Sequence, residues 1–260
     1  MSAVSGIEVP KLEWRSVAKR FARAPVLDGL DLAVAPGRSL VLIGGSGQGK
    51  SVTLKIALGL MQPDAGQVLL DGVNVTALSE NERRPLFSRI GMLFQGAALF
   101  DSLTIWENVA FRLVHSDGIP RREARERAIA AMHLVRLSPD VAQLYPGEMS
   151  GGMQKRVGLA RAIVGQPDIL FFDEPTTGLD PITAAAIDEL IVDKVRSLGC
   201  TAVSITHDLA SARTIADEVA MLYQGRIVWR GPVRELDTTE NPYVRQFVGG
   251  SSQGPIDANV

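Results

Sequence analysis

The sequence predicts an α/β protein in which helices flank a mostly parallel sheet. A glycine-rich segment at residues 44–51 follows the apolar run Ser39–Ile43 and precedes a helical pattern at 52–58. A second apolar run, residues 169–172, ends at two acidic residues, and from there to Trp229 apolar runs alternate with helical patterns. Continuous apolar runs of this length are typical of parallel strands that are buried on both faces.

The glycine-rich segment fits the phosphate-binding pattern G-x-x-x-x-G-K-[ST]. Glycines let the backbone close on an anion, and the N–H groups at the start of the next helix point at phosphate oxygens. We expect Lys50 to reach the β- and γ-phosphates and the Ser51 hydroxyl to hold Mg²⁺. An ordinary glycine-rich turn is the alternative, and the flanking strand and helix argue against it. The predicted nucleotide-binding residues of this segment are Gly44, Gly45, Ser46, Gly47, Gln48, Gly49, Lys50, Ser51 and Val52.

Asp173 and Glu174 follow the second apolar run. Ligands of α/β sheets bind at the carboxyl ends of the strands, so these two acids are candidates for chemistry. Asp173 is suited to a water-mediated contact with Mg²⁺, and Glu174 is suited to orient and polarise an attacking water. The alternative is that they cap the helix after Pro175. A phosphate loop in the same chain favours the catalytic interpretation.

Ser150, Gly151 and Gly152 precede an amphipathic helical pattern at residues 153–163. A glycine-rich helix start is an anion site, so the chain has two helix ends suited to phosphate. The Ser-Gly-Gly triplet is a weak signal by itself. Its position in the chain, between the phosphate loop and the acidic pair, favours a functional role for it.

In this order the motifs resemble those of the ATPase subunits of ABC transporters, from about residue 11 to residue 247. The resemblance implies a P-loop NTPase core with an antiparallel β subdomain and an inserted helical subdomain at about 97–165. These form a single ATPase domain at 11–248, and the tail at 249–260 is expected to be extended. The implied ligands are ATP and Mg²⁺.

The resemblance also implies that two copies of the chain form a homodimer with two composite ATP sites. Ser150 and Gly152 of one copy would then contact the γ-phosphate that is held by the other copy. The family pattern is Leu-Ser-Gly-Gly-Gln, and this chain has Met153 in place of the glutamine that would contact the ribose.

Four more residues take roles from the same resemblance. Gln95 matches the glutamine that senses the γ-phosphate and Mg²⁺ and contacts the transmembrane partner. Asp180 matches the aspartate that links the two sites across the dimer, and His207 matches the histidine that hydrogen-bonds the γ-phosphate. Phe21 falls where the family places an aromatic ring against adenine, although packing in the core or hairpin is an alternative for it.

Three segments look like those of the ATPases of MCE-type (Mla-like) lipid transport systems. They are residues 92–104, 146–148 and 180–183. That resemblance implies an integral-membrane permease, a periplasmic MCE lipid-binding protein, and transport of phospholipids or other lipids between the inner and outer membranes. The chain would then lie at the cytoplasmic face of a bacterial inner membrane. Residues 241–247 and 254–256 resemble the tail of that branch, which in some members reaches a neighbouring subunit or a STAS-domain regulator.

Three alternatives stay open at this point. An ATPase of another importer, such as one for amino acids, would keep every catalytic residue. A soluble ABC ATPase of the ribosome or DNA-repair kind usually carries two motif sets or a long insertion, and the sequence has neither. A P-loop kinase would leave Gln95, Ser150 and His207 without a role.

The composition of the chain excludes further classes of protein. The chain has 260 residues, 46% of them hydrophobic, and a net charge of −2, so it can bury a sizeable core and shows no electrostatic footprint for nucleic acid. Its one cysteine, Cys200, is expected to be a small core residue. No apolar stretch approaches the eighteen or so residues of a spanning helix, so a link to a membrane is expected to go through a partner.

Overall fold

The computed structural model describes residues 9–22 and 24–257. Strands and α-helices alternate over most of this length. In chain order the elements are β1 (Leu12–Phe21), β2 (Ala24–Val34), β3 (Ser39–Ile43), α1 (Lys50–Ala57), β4 (Ala65–Leu70), β5 (Val73–Asn74), α2 (Glu80–Phe87), β6 (Ile90–Leu93), α3 (Ile105–His115), α4 (Arg121–Leu134), α5 (Gly151–Ile163), β7 (Ile169–Asp173), α6 (Pro181–Leu198), β8 (Thr201–Ile205), α7 (Leu209–Ile215), β9 (Glu218–Tyr223), β10 (Arg226–Pro232) and α8 (Pro242–Gly249).

The larger sheet has the strand order β10-β9-β3-β8-β7-β6. Its strands from β9 to β6 are parallel, and β10 pairs antiparallel with β9. The apolar runs predicted as buried strands are β3 and β7, and their apolar side chains are buried. The predicted α/β fold with a mostly parallel sheet is therefore confirmed.

Side chains alternate across this sheet, and each face has its own core. Val41 and Phe172 belong to the cluster that packs on the helical side, with α3 to α7. Leu42 and Phe171 belong to the cluster that packs under α1 and the smaller sheet. Successive side chains of a strand point to opposite faces, so each continuous apolar run supplies both cores. Packing on both faces fixes the carboxyl ends of β3 and β7.

The smaller sheet is antiparallel, with the order β2-β1-β4-β5. Asp71 and Gly72 join β4 to β5 with φ of 50° and 79°, the left-handed pair that a tight two-residue hairpin needs. Trp14 of β1 is buried, and its indole N–H donates to the Thr53 carbonyl at 3.2 Å. This bond ties the smaller sheet to the helix that follows the phosphate loop.

Helices α3, α4 and α5 lie between β6 and β7, in the stretch where the sequence predicts a helical subdomain. Helix α3 starts at a capping box, in which the Glu107 carboxylate accepts from both the N–H and the hydroxyl of Thr104. Helix α4 has a buried apolar face, which consists of Ala124, Ala128 and Met132 and is continued by Val135 just after the helix. Within residues 9–22 and 24–257, every helix is too short or too polar to cross a bilayer.

The prediction of an extended tail is wrong for residues 250–257. Helix α8 ends at a left-handed Gly250, and the chain then folds back onto the helix. The buried Gln246 amide accepts from the Ile256 N–H at 2.7 Å and donates to the Ile256 carbonyl at 2.9 Å. The Tyr223 hydroxyl donates to the Pro255 carbonyl at 3.3 Å. The composition of the tail gave no sign of this long-range pairing.

Candidate active site

The phosphate loop lies between β3 and α1, as the motif requires. Gly49 has φ of 98°, and a Cβ there would lie 2.8 Å from the Val26 carbonyl oxygen, so glycine is needed on both counts. The Gln48 side chain accepts from the Gln224 N–H at 2.6 Å, which fixes the loop to the turn between β9 and β10. The loop therefore lies against β2 and is bonded to the turn between β9 and β10.

Lys50 is buried at the start of α1, and its ammonium donates to the Gly44 and Gly45 carbonyls at 2.8 Å each. Burial lowers the pKa of Lys50, while the charges of Glu174 and Asp173 act in the opposite direction. The positive charge is thus directed into the cradle of the loop, where a nucleotide phosphate would meet it.

A cleft of about 540 Å³ brings most of the predicted residues together. The whole of the phosphate loop and Val52 line it, and Gln95, Glu174 and His207 line its remaining polar wall. Val26 and Phe247 also line the cleft, although the sequence analysis did not assign them to the site. Phe247 belongs to α8 and reaches the cleft through the tertiary fold, which no local pattern could indicate.

Glu174 has a left-handed backbone with φ of 50°, which costs a non-glycine residue about 1–2 kcal/mol. Its N–H donates to the Ile205 carbonyl at 2.9 Å. Its carboxylate accepts from the Thr177 hydroxyl at 2.9 Å and lies 2.9 Å from His207 Nδ1. Backbone strain of this kind clusters at functional sites. The arrangement fixes a carboxylate at the cleft, as the proposed activation of water requires.

Asp173 lies beside Glu174, and its Oδ1 is buried without a hydrogen-bond partner in the described part of the chain. Burial and the neighbouring Glu174 carboxylate raise the pKa of Asp173, and nearby lysines act in the opposite direction. A buried carboxylate oxygen without a donor fits a cation or its bound water. Asp173 therefore suits Mg²⁺ or its bound water, although it is not among the residues that line the cleft. Ser51 and Gln95, the other two predicted ligands, do line the cleft, where Mg²⁺ when bound would neutralise phosphate charge.

A second cluster forms where the N-termini of α5 and α6 meet. The Ser150 hydroxyl caps α5 by accepting from the Met153 N–H at 3.3 Å, and the Asp180 carboxylate caps α6. A Cβ at Gly152 would lie 2.6 Å from Thr183 Cγ2, so only glycine allows this contact. Ser150, Gly151, Gly152 and Asp180 do not line the cleft of their own chain.

Phe21 is not among the residues that line the cleft. It ends β1, is 44% exposed, and has the Lys19 ammonium 5.8 Å from the centre of its ring. Packing in the core is thereby excluded for Phe21. Its contact with adenine stays a prediction.

A parallel sheet with a phosphate loop, two carboxylates and a histidine at one edge defines a P-loop nucleoside triphosphatase. The sequence profile described as "ABC transporter" matches residues 27–177. The chain belongs to the ABC transporter family, as an ATPase that binds ATP with Mg²⁺.

Curated relatives of the chain carry different names. The chain is 38% identical over 94% of its length to a probable ribonucleotide transport ATP-binding protein, mkl, of Mycobacterium leprae, and covers 70% of it. It is also 38% identical, over the same share, to protein TRIGALACTOSYLDIACYLGLYCEROL 3, chloroplastic, of Arabidopsis thaliana, and covers 75% of it. The methionine import ATP-binding protein MetN 2 of Rhodococcus jostii is 40% identical over 92% of the chain, which covers 71% of that relative.

A solved structure supports the same family. The ATP-binding cassette MJ0796, in a dimeric post-hydrolysis state with ADP and Pi, superposes with a TM-score of 0.78 and 30% identity. The match covers 86% of this chain and 99% of that one.

Proposed function

We propose that this ABC transporter ATPase powers the transport of lipids, most simply phospholipids, between the inner and outer membranes of a bacterium. The observation that carries the proposal is the 38% identity, over 94% of the chain, to a relative named after trigalactosyldiacylglycerol, a glycolipid. The resemblance of residues 92–104, 146–148 and 180–183 to MCE-type ATPases agrees with it. ABC cassettes partner with membrane permeases. The proposed further partner is an MCE lipid-binding protein, and the proposed location is the cytoplasmic face of the inner membrane.

At the cleft, Glu174 is proposed as the base that polarises the attacking water. Its carboxylate bonds to Thr177 and His207 would hold it in one orientation while water approaches. Lys50 would bind the β- and γ-phosphates with the loop amides, and His207 and Gln95 would respond to the γ-phosphate. Ser51, Gln95 and Asp173 would hold Mg²⁺ directly or through water.

The second cluster is proposed to complete the cleft of another copy. Ser150 is exposed, and its helix N-terminus and that of α6 lie side by side, which concentrates N–H dipoles that favour an anion. In a homodimer these groups would meet the γ-phosphate held by the partner's phosphate loop, and Asp180 would link the two sites. The solved relative with ADP and Pi is a dimer.

ATPases of other importers are the second candidate. A relative at 40% identity is named for methionine import and one at 38% for ribonucleotide transport. Neither name changes the proposed roles at the cleft, because the cargo binds elsewhere in a transporter. Only the identity of the cargo separates the two candidates.

The test is to purify the chain with the membrane partner that copurifies and to identify the extracted cargo by mass spectrometry. Glu174→Gln would arrest the complex before hydrolysis, and Lys50→Ala would serve as the nucleotide-free control. We expect phospholipid enriched over the bulk membrane, and an ATPase rate that rises with added lipid. A rate that rises with methionine or a ribonucleotide instead, with no enriched lipid, would overturn the proposed cargo.

A further inference from the structure

Lys155 is a buried cation that the roles proposed above do not use. It lies on α5, one turn beyond Ser150, and is 5% exposed. Gly158, Leu159 and Ala162 follow it along the same face of the helix and are buried as well. A lysine in an apolar helix stripe is costly unless its charge is satisfied.

The ammonium of Lys155 is satisfied by two main-chain carbonyls of the proposed catalytic residues. It donates to the Gln95 carbonyl in a close contact and to the Glu174 carbonyl at 3.2 Å. These carbonyls belong to two different segments, one after β6 and one after β7. A single side chain therefore joins the backbones of Gln95 and Glu174, two of the residues that line the cleft.

Glu174 is fixed on both sides of its left-handed backbone by these contacts. Its N–H is held by the Ile205 carbonyl, and its carbonyl is held by Lys155. Because φ is 50°, the residue would relax toward an extended or helical backbone if either bond were lost. That relaxation would turn the carboxylate away from its present direction.

The segment after Gln95 is held by the same helix. Arg161 of α5 donates to the Ala98 carbonyl at 2.7 Å and also to the Ala97 carbonyl. Ala97 and Ala98 have φ of 58° and 47°, so this segment too has a backbone that needs support. Two cations of α5 thus hold the glutamine segment, and Lys155 is the one that also reaches Glu174.

We propose that Lys155 is a positioning residue for ATP hydrolysis, which links the helix behind Ser150 to the backbones of Gln95 and Glu174. The inference rests on the proposed roles of these two residues. When Ser150 is drawn toward a γ-phosphate, movement of α5 is carried through Lys155 to the glutamine and the base. The lysine does not line the cleft, and it sets where the reacting groups point.

Electrostatics agree with this placement. Burial lowers the pKa of Lys155, and the charges of Glu174 and Asp173 act against that effect. The carboxylates therefore favour the ammonium form, and the ammonium in turn places a positive charge behind two acids that crowd each other.

The test compares Lys155→Met with Arg156→Met in the full chain. Arg156 is the next residue of α5, and its guanidinium donates to the Val135 carbonyl at 3.3 Å, away from the cleft. Both changes remove one cation from α5, and Lys155→Met removes two bonds to carbonyls where Arg156→Met removes one. For Lys155→Met we expect kcat to fall about 10- to 100-fold, as for a misplaced catalytic group, with KM for ATP within about threefold. Arg156→Met should keep kcat within about threefold. Lys155→Arg, which keeps the donors, should retain about a third of the wild-type kcat or more.

The outcomes separate the inference from the proposed function. If Glu174→Gln abolishes turnover while Lys155→Met leaves it unchanged, the positioning role is wrong and the base assignment stands. If Glu174→Gln is active, the proposed base itself fails. Equal losses in Lys155→Met and Arg156→Met, or a loss of ATP binding matched by a lower melting temperature, would show that Lys155 only supports the fold. Should Lys155→Met not fold, Lys155→Leu also removes every donor, with a side chain suited to the apolar stripe, and must show the same fall in kcat.

Discussion

Asp188 is a buried carboxyl group, and its raised pKa makes the free energy of unfolding depend on pH. It lies on α6, is 3% exposed, and accepts from the Ser211 hydroxyl at 2.7 Å through Oδ2. Its Oδ1 is buried without a hydrogen-bond partner in the described ranges. Burial raises the pKa of Asp188 from 3.8 to about 6, with a smaller contribution from the charge of Asp208 and an opposing one from Ser211. We therefore expect Asp188 to be protonated in the fold at mildly acidic pH.

Protonation and folding are linked, so the pKa of Asp188 decides whether stability rises or falls with pH. The folded-state pKa lies above the unfolded value, so protonation of Asp188 contributes stability that is complete below about pH 4 and is lost as the pH rises through about 6. Titration between these two pKa values gives a total of about 3 kcal/mol. The part lost between about pH 5 and pH 8 is about 1.4 kcal/mol. Asp188→Asn cannot titrate, so it should not show this loss.

The assay is urea unfolding of the wild type and of Asp188→Asn at several pH values. The unfolding free energy of the wild type, relative to the variant, should fall by about 1.4 kcal/mol from about pH 5 to pH 8. Asp193→Asn is the control on the same helix, because Lys194 lowers the pKa of the exposed Asp193. A difference between wild type and Asp188→Asn that does not change with pH would show that Asp188 is ionised throughout, and the reasoning would be refuted.

The remaining predictions concern the cleft and the dimer. Glu174→Gln should bind ATP normally and lose at least ~10²-fold in turnover, measured by phosphate release, because it removes the base; a near wild-type rate would exclude that role. Lys50→Ala should weaken ATP binding itself in a fluorescent-nucleotide titration, since it removes charge from the phosphate cradle. In a mixed dimer of one Lys50→Ala chain and one Ser150→Arg chain, one composite ATP site contains both substitutions. The other site contains an intact Lys50 and an intact Ser150. The mixed dimer should enclose one ATP, while each homodimer encloses none; capture by either homodimer would contradict the composite site.

Much of the fold could be predicted because apolar runs and glycine-rich turns are recognisable within short stretches of the sequence. The run Ser39–Ile43 became β3 residue for residue, and the loop after it has the positive φ values that its glycines allow. Glu174 and His207 were each given a separate role at the nucleotide, and no contact between them was predicted. Their 2.9 Å contact depends on how β7 and β8 lie side by side.

Residues that act through tertiary contacts could not be predicted in the same way. Lys155 was visible only as a lone cation in an apolar helix stripe, which does not say which carbonyls it meets. Phe247 lines the cleft on a helix whose Tyr243 packs on Tyr223 at the end of β9, with the ring centroids 5.1 Å apart, a contact between segments that no local pattern relates. Sequence patterns report periodicity within an element, whereas these contacts depend on how elements are arranged.

The segment that folds back onto Gln246, residues 251–257, shows where the folded unit ends. Composition alone would place the last residues outside it, as a spacer that could be trimmed without effect. Yet a chain cut after Gly250 would lose the Ser251 and Ile256 groups that now satisfy a buried amide. An unmet buried amide costs about 1–3 kcal/mol, and here it would lie one residue from Phe247 in the wall of the nucleotide cleft. We therefore expect residues 251–257 to belong to the folded unit, and their removal to weaken nucleotide binding.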